Sequence, residues 1–260
     1  MSVDRALDTL ATGMVASSRY QDVLANNLAN ANTVGFHKDN LSFRTIMAKV
    51  ENQDIPRPSQ AGLYEDVYYG HMLVDSPVAV DSDYTAHAEG NVILTNNNLD
   101  AAIEGKGFFA IKTPQGERYT RAGNFTVNEA GFLITQQGYA VDGVNGPIDV
   151  SGESVNILSS GEVQVDGEIR GQLRVVQADD EQDFVKEGNT LYRYEGDAGS
   201  LQTRTNVGLQ AGYVESSNVN TVEEINAMTI NMRAFEANSH AIKTMERTLD
   251  RVINSVGKAS

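Results

Sequence analysis

Apolar residues recur every three or four positions at both ends of this chain, whereas the middle shows short apolar runs separated by turn-forming residues. Steps of three and four keep side chains on one face of an α-helix, so each end is predicted to form an amphipathic helix. The first helix is expected to run from Ser2 or Val3 to about Asn30, and the last from Asn220 or Thr221 to Val256. The first stripe comprises Leu7, Leu10, Met14, Ser17, Gln21, Leu24 and Leu28, and the second comprises Val222, Ile225, Thr229, Met232, Phe235, Ser239, Ile242, Leu249, Ile253 and Val256.

A single amphipathic helix cannot bury its own apolar stripe, so the two end helices must pack against each other or against another subunit. This pattern favours an assembly role over catalysis. The stripe of the first helix is interrupted by one polar residue, Gln21.

The middle of the chain predicts a β-rich region. Phe108–Lys112 and Glu117–Arg121 flank the turn residues Pro114 to Gly116, which is typical of a hairpin. A second hairpin is predicted from Phe125 to Thr135, and further strands at 155–158, 162–165, 173–177 and 191–194. The sequence therefore predicts an α+β fold in which residues 1–44 and 213–260 form a discontinuous helical, coiled-coil domain. Residues 45–80, with Pro56 and Pro58, are predicted to be a linker or extended arm, and residues 81–212 a β-rich middle.

The formal charge of −15 lies almost entirely in the middle, where residues 45–214 carry 25 acidic and 11 basic side chains. This acidic surface argues against nucleic-acid binding, which requires clustered lysine and arginine. The chain contains no cysteine, which excludes disulfides and thiolate chemistry. No apolar run approaches the ~20 residues of a membrane-spanning helix, and the first residues do not resemble a cleavable secretion signal. We therefore expect no membrane insertion.

Candidate catalytic and ligand-binding patterns are weak. The histidines His37, His71, His87 and His240 do not have metal-ligand spacing. Gly105-Lys106-Gly107 precedes a strand-like segment rather than the helix that a phosphate-binding loop requires. We therefore predict no catalytic, cofactor-binding or metal-binding residues, and a protein that is not an enzyme.

Asparagines cluster where the first helix ends and where the last begins. They are Asn26, Asn27, Asn30 and Asn32 at the first site, and Asn218 and Asn220 at the second. They could act as caps and turn formers, or form a hydrogen-bond network that holds the two helix ends or neighbouring subunits together. Both interpretations can hold at once.

Three separated segments resemble the signatures of the bacterial flagellar basal-body rod and hook family. They are Ala25–Asn30 with Thr33–Phe36, the central strands around Gly105–Phe109 and Tyr119–Phe125, and Gly212–Glu224 with Arg233–Asn238. Within the family the chain is most similar to the proximal rod protein, with the distal rod protein second. The resemblance implies a structural axial component of the rod, which crosses the periplasm. It also implies export through the flagellar type III apparatus without a cleaved signal peptide.

The resemblance further implies that the terminal helices pair as coiled coils, so that copies of the chain and other rod proteins form a hollow helical tube. This tube would transmit torque and pass exported subunits. The predicted assembly interface consists of Leu7, Leu10, Met14, Leu24, Asn26, Asn27, Leu28, Asn30, Gly35, Phe36, Asn218, Asn220, Ile225, Met232, Arg233, Phe235, Ile242, Leu249 and Ile253. The alternative is an acidic β-rich carbohydrate-binding module or hydrolase with a helical oligomerisation stalk, which predicts a ligand pocket in residues 80–200.

Overall fold

The computed structural model describes residues 3–45, 78–86, 88–188, 190–197, 199–204 and 208–256. Helix α1 spans Val3–Ala29 and helix α2 spans Thr221–Val256. Both predicted terminal helices are therefore confirmed. Most of the predicted linker at 45–80, and the side chain of Ile253, lie outside the described residues. Neither described helix is long and apolar enough to cross a membrane.

The middle of the chain is rich in short strands, as predicted, and the α+β class is confirmed. A 3₁₀ turn spans Glu181–Asp183. The strands are β1 (Asp39–Thr45), β2 (Val78–Thr85), β3 (Val92–Leu94), β4 (Ala101–Ile103), β5 (Phe108–Thr113), β6 (Gly116–Thr120), β7 (Thr126–Val127), β8 (Leu133–Ile134), β9 (Ala140–Gly143), β10 (Gly146–Pro147), β11 (Val155–Ile157), β12 (Glu162–Val165), β13 (Glu168–Gln172), β14 (Val175–Gln177), β15 (Phe184–Lys186), β16 (Leu191–Tyr194), β17 (Gln202–Thr203), β18 (Leu209–Ala211) and β19 (Tyr213–Glu215).

The largest sheet is built around β5, in the order β15-β16-β6-β5-β9-β8-β7, with β14 also pairing with β5. The two hairpins predicted from the sequence are present as the antiparallel pairs β5–β6 and β7–β8. Three smaller antiparallel groups are β11-β12-β13, β4-β18 and β3-β19. Strands β1 and β2 pair with each other.

The large sheet is covered on both faces by apolar side chains. Neighbouring residues of a strand point to opposite faces, and Phe108 and Phe109 of β5 belong to two different clusters. Phe109 packs with residues such as Leu133 and Val163, whereas Phe108 packs with Phe184 and Tyr192. Burial on both faces explains why β5 reads as a continuous apolar run rather than an alternating one.

The chain divides into two compact units, which we call the helical unit and the β-rich unit. The helical unit comprises Met1–Asn26, Asn40–Asp83 and Val222–Ser260. The β-rich unit comprises Asn27–Asp39 and Tyr84–Thr221. The last residues of α1 and the segment that follows them therefore group with the strands.

Candidate functional site

The two terminal helices contact each other within the helical unit through Asn231 of α2. The Asn231 side chain accepts a hydrogen bond from Ser17 Oγ at 2.7 Å, and its Nδ2 donates to the Ser17 carbonyl at 2.8 Å and to Gln21 Oε1 at 2.9 Å. Further along, a Cβ added at Gly13 would lie 3.6 Å from Asn238 Nδ2, so Gly13 lies beside Asn238. As the position on α1 falls from Gln21 to Gly13, its partner on α2 rises from Asn231 to Asn238. The helices therefore run antiparallel.

The predicted apolar interface residues of α1 are mostly covered. Leu24 is only 3% exposed, and Leu7, Leu10, Met14 and Leu28 are half-buried. On α2, Ile242 and Leu249 are half-buried. Ile225, Met232, Arg233 and Phe235 are exposed on the chain's own surface. The structure therefore brings only part of the predicted α2 stripe against other residues of the same chain.

The asparagines after α1 organise the turn that follows the helix. The Asn27 side chain makes two hydrogen bonds to the backbone of Asp39. Its Nδ2 donates to the Asp39 carbonyl and its Oδ1 accepts from the Asp39 N–H, each at 2.9 Å. Asn30 accepts from Thr33 Oγ1 at 3.1 Å. Asn26 and Asn220 are exposed. The side-chain amides of Asn27 and Asn30 therefore fix the path of the chain as it leaves α1.

Residues before α2 bind the segment after α1 within the β-rich unit; we call this contact the terminal clasp and define it as residues 35–38 with Glu215 and Asn218. The Gly35 N–H donates to the Glu215 carbonyl at 2.8 Å, and the Lys38 N–H donates to Asn218 Oδ1 at 2.7 Å. Asn218 Nδ2 also donates to the carbonyls of Ala86 and Ala88. The structure thus shows a hydrogen-bond network joining the two motifs, in addition to the local turns.

Gly35 is required by the geometry of the terminal clasp. Its φ of +67° lies in the left-handed region, and a Cβ at this position would lie 2.3 Å from the Ala122 backbone nitrogen. Only glycine avoids both the backbone strain and this clash. Phe36, the next residue, is completely buried.

A buried charged cluster lies beside the clasp. His37 Nε2 donates to Glu215 Oε1 at 3.0 Å, the Gly90 N–H donates to the same oxygen at 2.9 Å, and Arg121 Nε lies 3.4 Å from Glu215 Oε2. Burial alone would raise the pKa of Glu215, but the His37 hydrogen bond and the Arg121 charge outweigh it and the pKa is lowered. His37, Arg121 and Glu215 are each at most 3% exposed. The cluster therefore ties the segment after α1 to Glu215 of β19 and to Arg121.

A buried lysine adds a second set of contacts to the same segment. Lys186 of β15 donates to the His37 carbonyl at 2.5 Å, pairs with Asp39 at 2.9 Å, and places its ammonium 3.7 Å from the centre of the Phe36 ring. Burial lowers the pKa of Lys186, and the Asp39 contact partly offsets this. The ammonium therefore links residues 36, 37 and 39 to the large sheet.

The β-rich unit also carries an open cleft of about 510 Å³. It is lined by Asn96–Leu99, Val127, Val150 and Gly152–Val155. Among these described residues, Glu153 is the single carboxylate, whereas glycoside hydrolysis uses a pair. The lining of the cleft therefore lacks the carboxylate pair that most glycoside hydrolases use.

Three family models of flagellar proteins match successive regions of this chain. The model of the flagella basal body rod protein family matches residues 7–37, that of the flagellar hook protein FlgE/F/G D1 domain matches 102–165, and that of the flagellar basal body rod FlgEFG protein C-terminal region matches 210–255. The flagellar basal-body rod protein FlgG of Bacillus subtilis is 32% identical, over 95% of this chain and 98% of its own length. This chain belongs to the flagellar basal-body rod protein family.

Other rod proteins show the same full-length match. FlgG of Caulobacter vibrioides is 35% identical over 94% of this chain and 97% of its own length, and FlgF of the same organism is 32% identical over 95% of each. The resemblance inferred from the sequence motifs is confirmed. The terminal clasp joins the end of the first matched region, 7–37, to the beginning of the last, 210–255. The two rod-protein signatures therefore lie in contact in the folded chain. The alternative of a carbohydrate-binding module or hydrolase has no support among these proteins.

Sequence reasoning missed several residues that hold these contacts. Arg121 and Glu215 lie inside quoted motifs but were given no role, and Lys186 was not singled out. Gln21 gave a usable signal, because a polar residue inside an apolar stripe needs a polar partner on the facing helix. That partner is Asn231.

Proposed function

We propose that this protein is a structural axial component of the flagellar basal-body rod. It assembles with copies of itself and with other rod proteins through its terminal helices, and the tube so formed transmits torque and passes exported subunits. The observation that carries the proposal is the full-length similarity to FlgG and FlgF rod proteins, which spans both helices and the strands between them.

The terminal helices support self-assembly physically. Both carry apolar residues at the alternating three- and four-residue steps of a coiled coil. In the single chain, α2 nevertheless leaves Ile225, Met232 and Phe235 exposed. Burying one such side chain contributes about 1.5–3 kcal/mol, so neighbouring subunits that cover them stabilise the assembled form. Pairing of α1 and α2 as part of a coiled coil between subunits is therefore the proposed mode of assembly.

The β-rich unit is joined through the chain to both terminal helices. The terminal clasp and the buried Glu215 cluster lie within it and fix both the exit from α1 and the approach to α2. The role that fits these features is mechanical rather than catalytic. Export through the flagellar type III apparatus is part of the proposal and places the protein in the rod across the periplasm.

Deletion and complementation test the proposal. In the flagellated bacterium that encodes this chain, removal of the gene should abolish swimming and leave basal bodies without a complete rod. An epitope-tagged full-length copy should restore swimming and be detected in purified basal bodies. Unchanged swimming in the deletion strain, together with absence of the tagged protein from basal bodies, would refute the proposed function.

A further inference from the structure

The chain crosses between the helical unit and the β-rich unit four times, at residues 26–27, 39–40, 83–84 and 221–222. On the β-rich side, each crossing leads within a few residues to a member of one hydrogen-bond network. Asn27 bonds to the backbone of Asp39, and Asp39 Oδ1 accepts from Thr85 Oγ1 at 2.9 Å. The N–H of Lys38, next to Asp39, donates to Asn218 Oδ1. The terminal clasp and its immediate neighbours therefore hold all four crossings together.

The clasp is held mainly by charged and polar groups. His37 and Glu215 are 1% and 2% exposed and hydrogen-bond to each other, and Arg121 lies beside them. The fully buried ring of Phe36 lies against the ammonium of Lys186. Because desolvation offsets much of what charge pairing gains, buried ion pairs usually stabilise a fold no more than apolar packing of the same volume.

The apolar core of the β-rich unit lies apart from the clasp. Its two clusters include Phe109 and Phe108 of β5. In the part of the chain that the structure describes, neither cluster includes a residue of the clasp, although Phe36 is buried. The His37 ring approaches one cluster member, Tyr192, with a distance of 6.4 Å between the ring centres. The contacts that form the core therefore do not depend on a closed clasp.

We infer that the terminal clasp is a latch, which opens as a unit while the apolar core of the β-rich unit stays folded. Folded proteins open in cooperative segments, whose free energies range from near zero to that of global unfolding. The segment after α1 and the segment before α2 are released together, because each binds the other. Gly35 donates to the Glu215 carbonyl, and Lys38 donates to Asn218.

The latch gives the protein a joint between folded parts. When it opens, the residues that lead to α1 and to α2 change direction without loss of the large sheet. This conformational device goes beyond the proposed function and does not depend on it.

Native-state hydrogen exchange of the full-length protein, followed by nuclear magnetic resonance, tests the inference. The Gly35 amide reports on the clasp, because it donates to the Glu215 carbonyl at 2.8 Å. The Ala110 amide reports on the core, because it donates to the Arg174 carbonyl at 2.9 Å. After correction for intrinsic rates, the Gly35 amide should exchange at least about a hundredfold faster than the Ala110 amide.

A conservative substitution in the core separates the two openings. Ile111 and Ile148 are buried in the same apolar cluster as Phe109. Ile111→Val or Ile148→Val should speed exchange at Ala110 by about twofold to tenfold. Either variant should leave exchange at Gly35 unchanged, because the core is folded whether the clasp is closed or open.

A substitution in the clasp is the matched control. Asn218→Ala removes the acceptor of the Lys38 N–H and the donors to the Ala86 and Ala88 carbonyls. It should speed exchange at Gly35 and at Ala110 by the same factor, at least about fivefold. Both amides respond because the closed clasp is the starting state of both openings.

The pattern of rates decides the outcome. Faster exchange at Ala110 alone in Ile111→Val, and at both amides in Asn218→Ala, supports the latch. Matching rates for the two amides in the wild type would overturn the inference, because the clasp and the core would then open together. An equal increase at both amides in Ile111→Val would overturn it for the same reason.

Discussion

Replacement of Glu215 by alanine is the sharpest test of the buried cluster. The carboxylate is 2% exposed, accepts hydrogen bonds from His37 and from the Gly90 N–H, and pairs with Arg121. Glu215→Ala leaves the Arg121 guanidinium, itself 3% exposed, without a counter-charge. It also leaves the Gly90 N–H without its acceptor. The substitution removes few apolar contacts, so its effect reports on the charge cluster.

The expected loss is large. Removal of one partner from a buried ion pair costs about 3–5 kcal/mol, because the remaining charge is left desolvated. For a unit of this size, each kcal/mol lowers the melting temperature by roughly 2–4 °C, so Glu215→Ala should lower it by roughly 6–20 °C. Only unfolding of the β-rich unit should shift, because His37, Gly90, Arg121 and Glu215 all lie in that unit.

Urea denaturation followed by circular dichroism and tyrosine fluorescence measures this loss; the chain has no tryptophan. The control is Glu215→Met combined with Arg121→Met, which removes both charges and fills their volume with apolar atoms. It should be less destabilising than Glu215→Ala, since no unpaired charge remains. The reasoning would be refuted by a loss below about 1 kcal/mol for Glu215→Ala, or by a larger loss in the double variant.

Three further predictions concern acid, the clasp and the helices. Because the folded state lowers the pKa of Glu215, its stabilisation is present above the unfolded value of about 4.3 and is lost as the pH falls through the folded value. The gap in unfolding free energy between wild type and Glu215→Gln should therefore narrow in acid, and a constant gap would contradict this. Gly35→Ala should cost about 2–4 kcal/mol in urea denaturation, clearly more than Gly105→Ala, which has a similar φ of +74° but no atom within 4 Å. Leu24→Asp places a carboxylate at a buried position of the helical unit. The variant should therefore be absent from basal bodies, while the urea transition of the β-rich unit stays unchanged. Normal incorporation of the variant would argue against helix packing.

Local structure was predictable because it depends on residues close in sequence. The three- and four-residue steps predicted α1 and α2. Apolar runs on either side of the turns at Pro114–Gly116 and Asn128–Gly131 predicted the β5–β6 and β7–β8 hairpins. Strands as short as Gln202–Thr203 carry too few side chains to show a period.

The contacts of the site could not be derived in the same way. His37 and Glu215 are 178 residues apart, and Lys38 and Asn218 are 180 apart. A single sequence shows which residues share a face but not which distant residues meet. For the same reason, the sequence pattern places the whole α2 stripe on one surface. In the folded chain, however, Ile225 and Met232 are exposed, whereas Ile242 and Leu249 are half-buried.

The most direct test of the central claim is a helical reconstruction, by cryo-electron microscopy, of rods purified from cells in which this chain carries a small internal tag. The account predicts that α1 and α2 of each subunit lie antiparallel, that they contact the helices of neighbouring subunits around the channel, and that Ile225 and Met232 are covered by a neighbour. Rods that lack the tag, or subunits whose terminal helices make no contact with a neighbour, would contradict it.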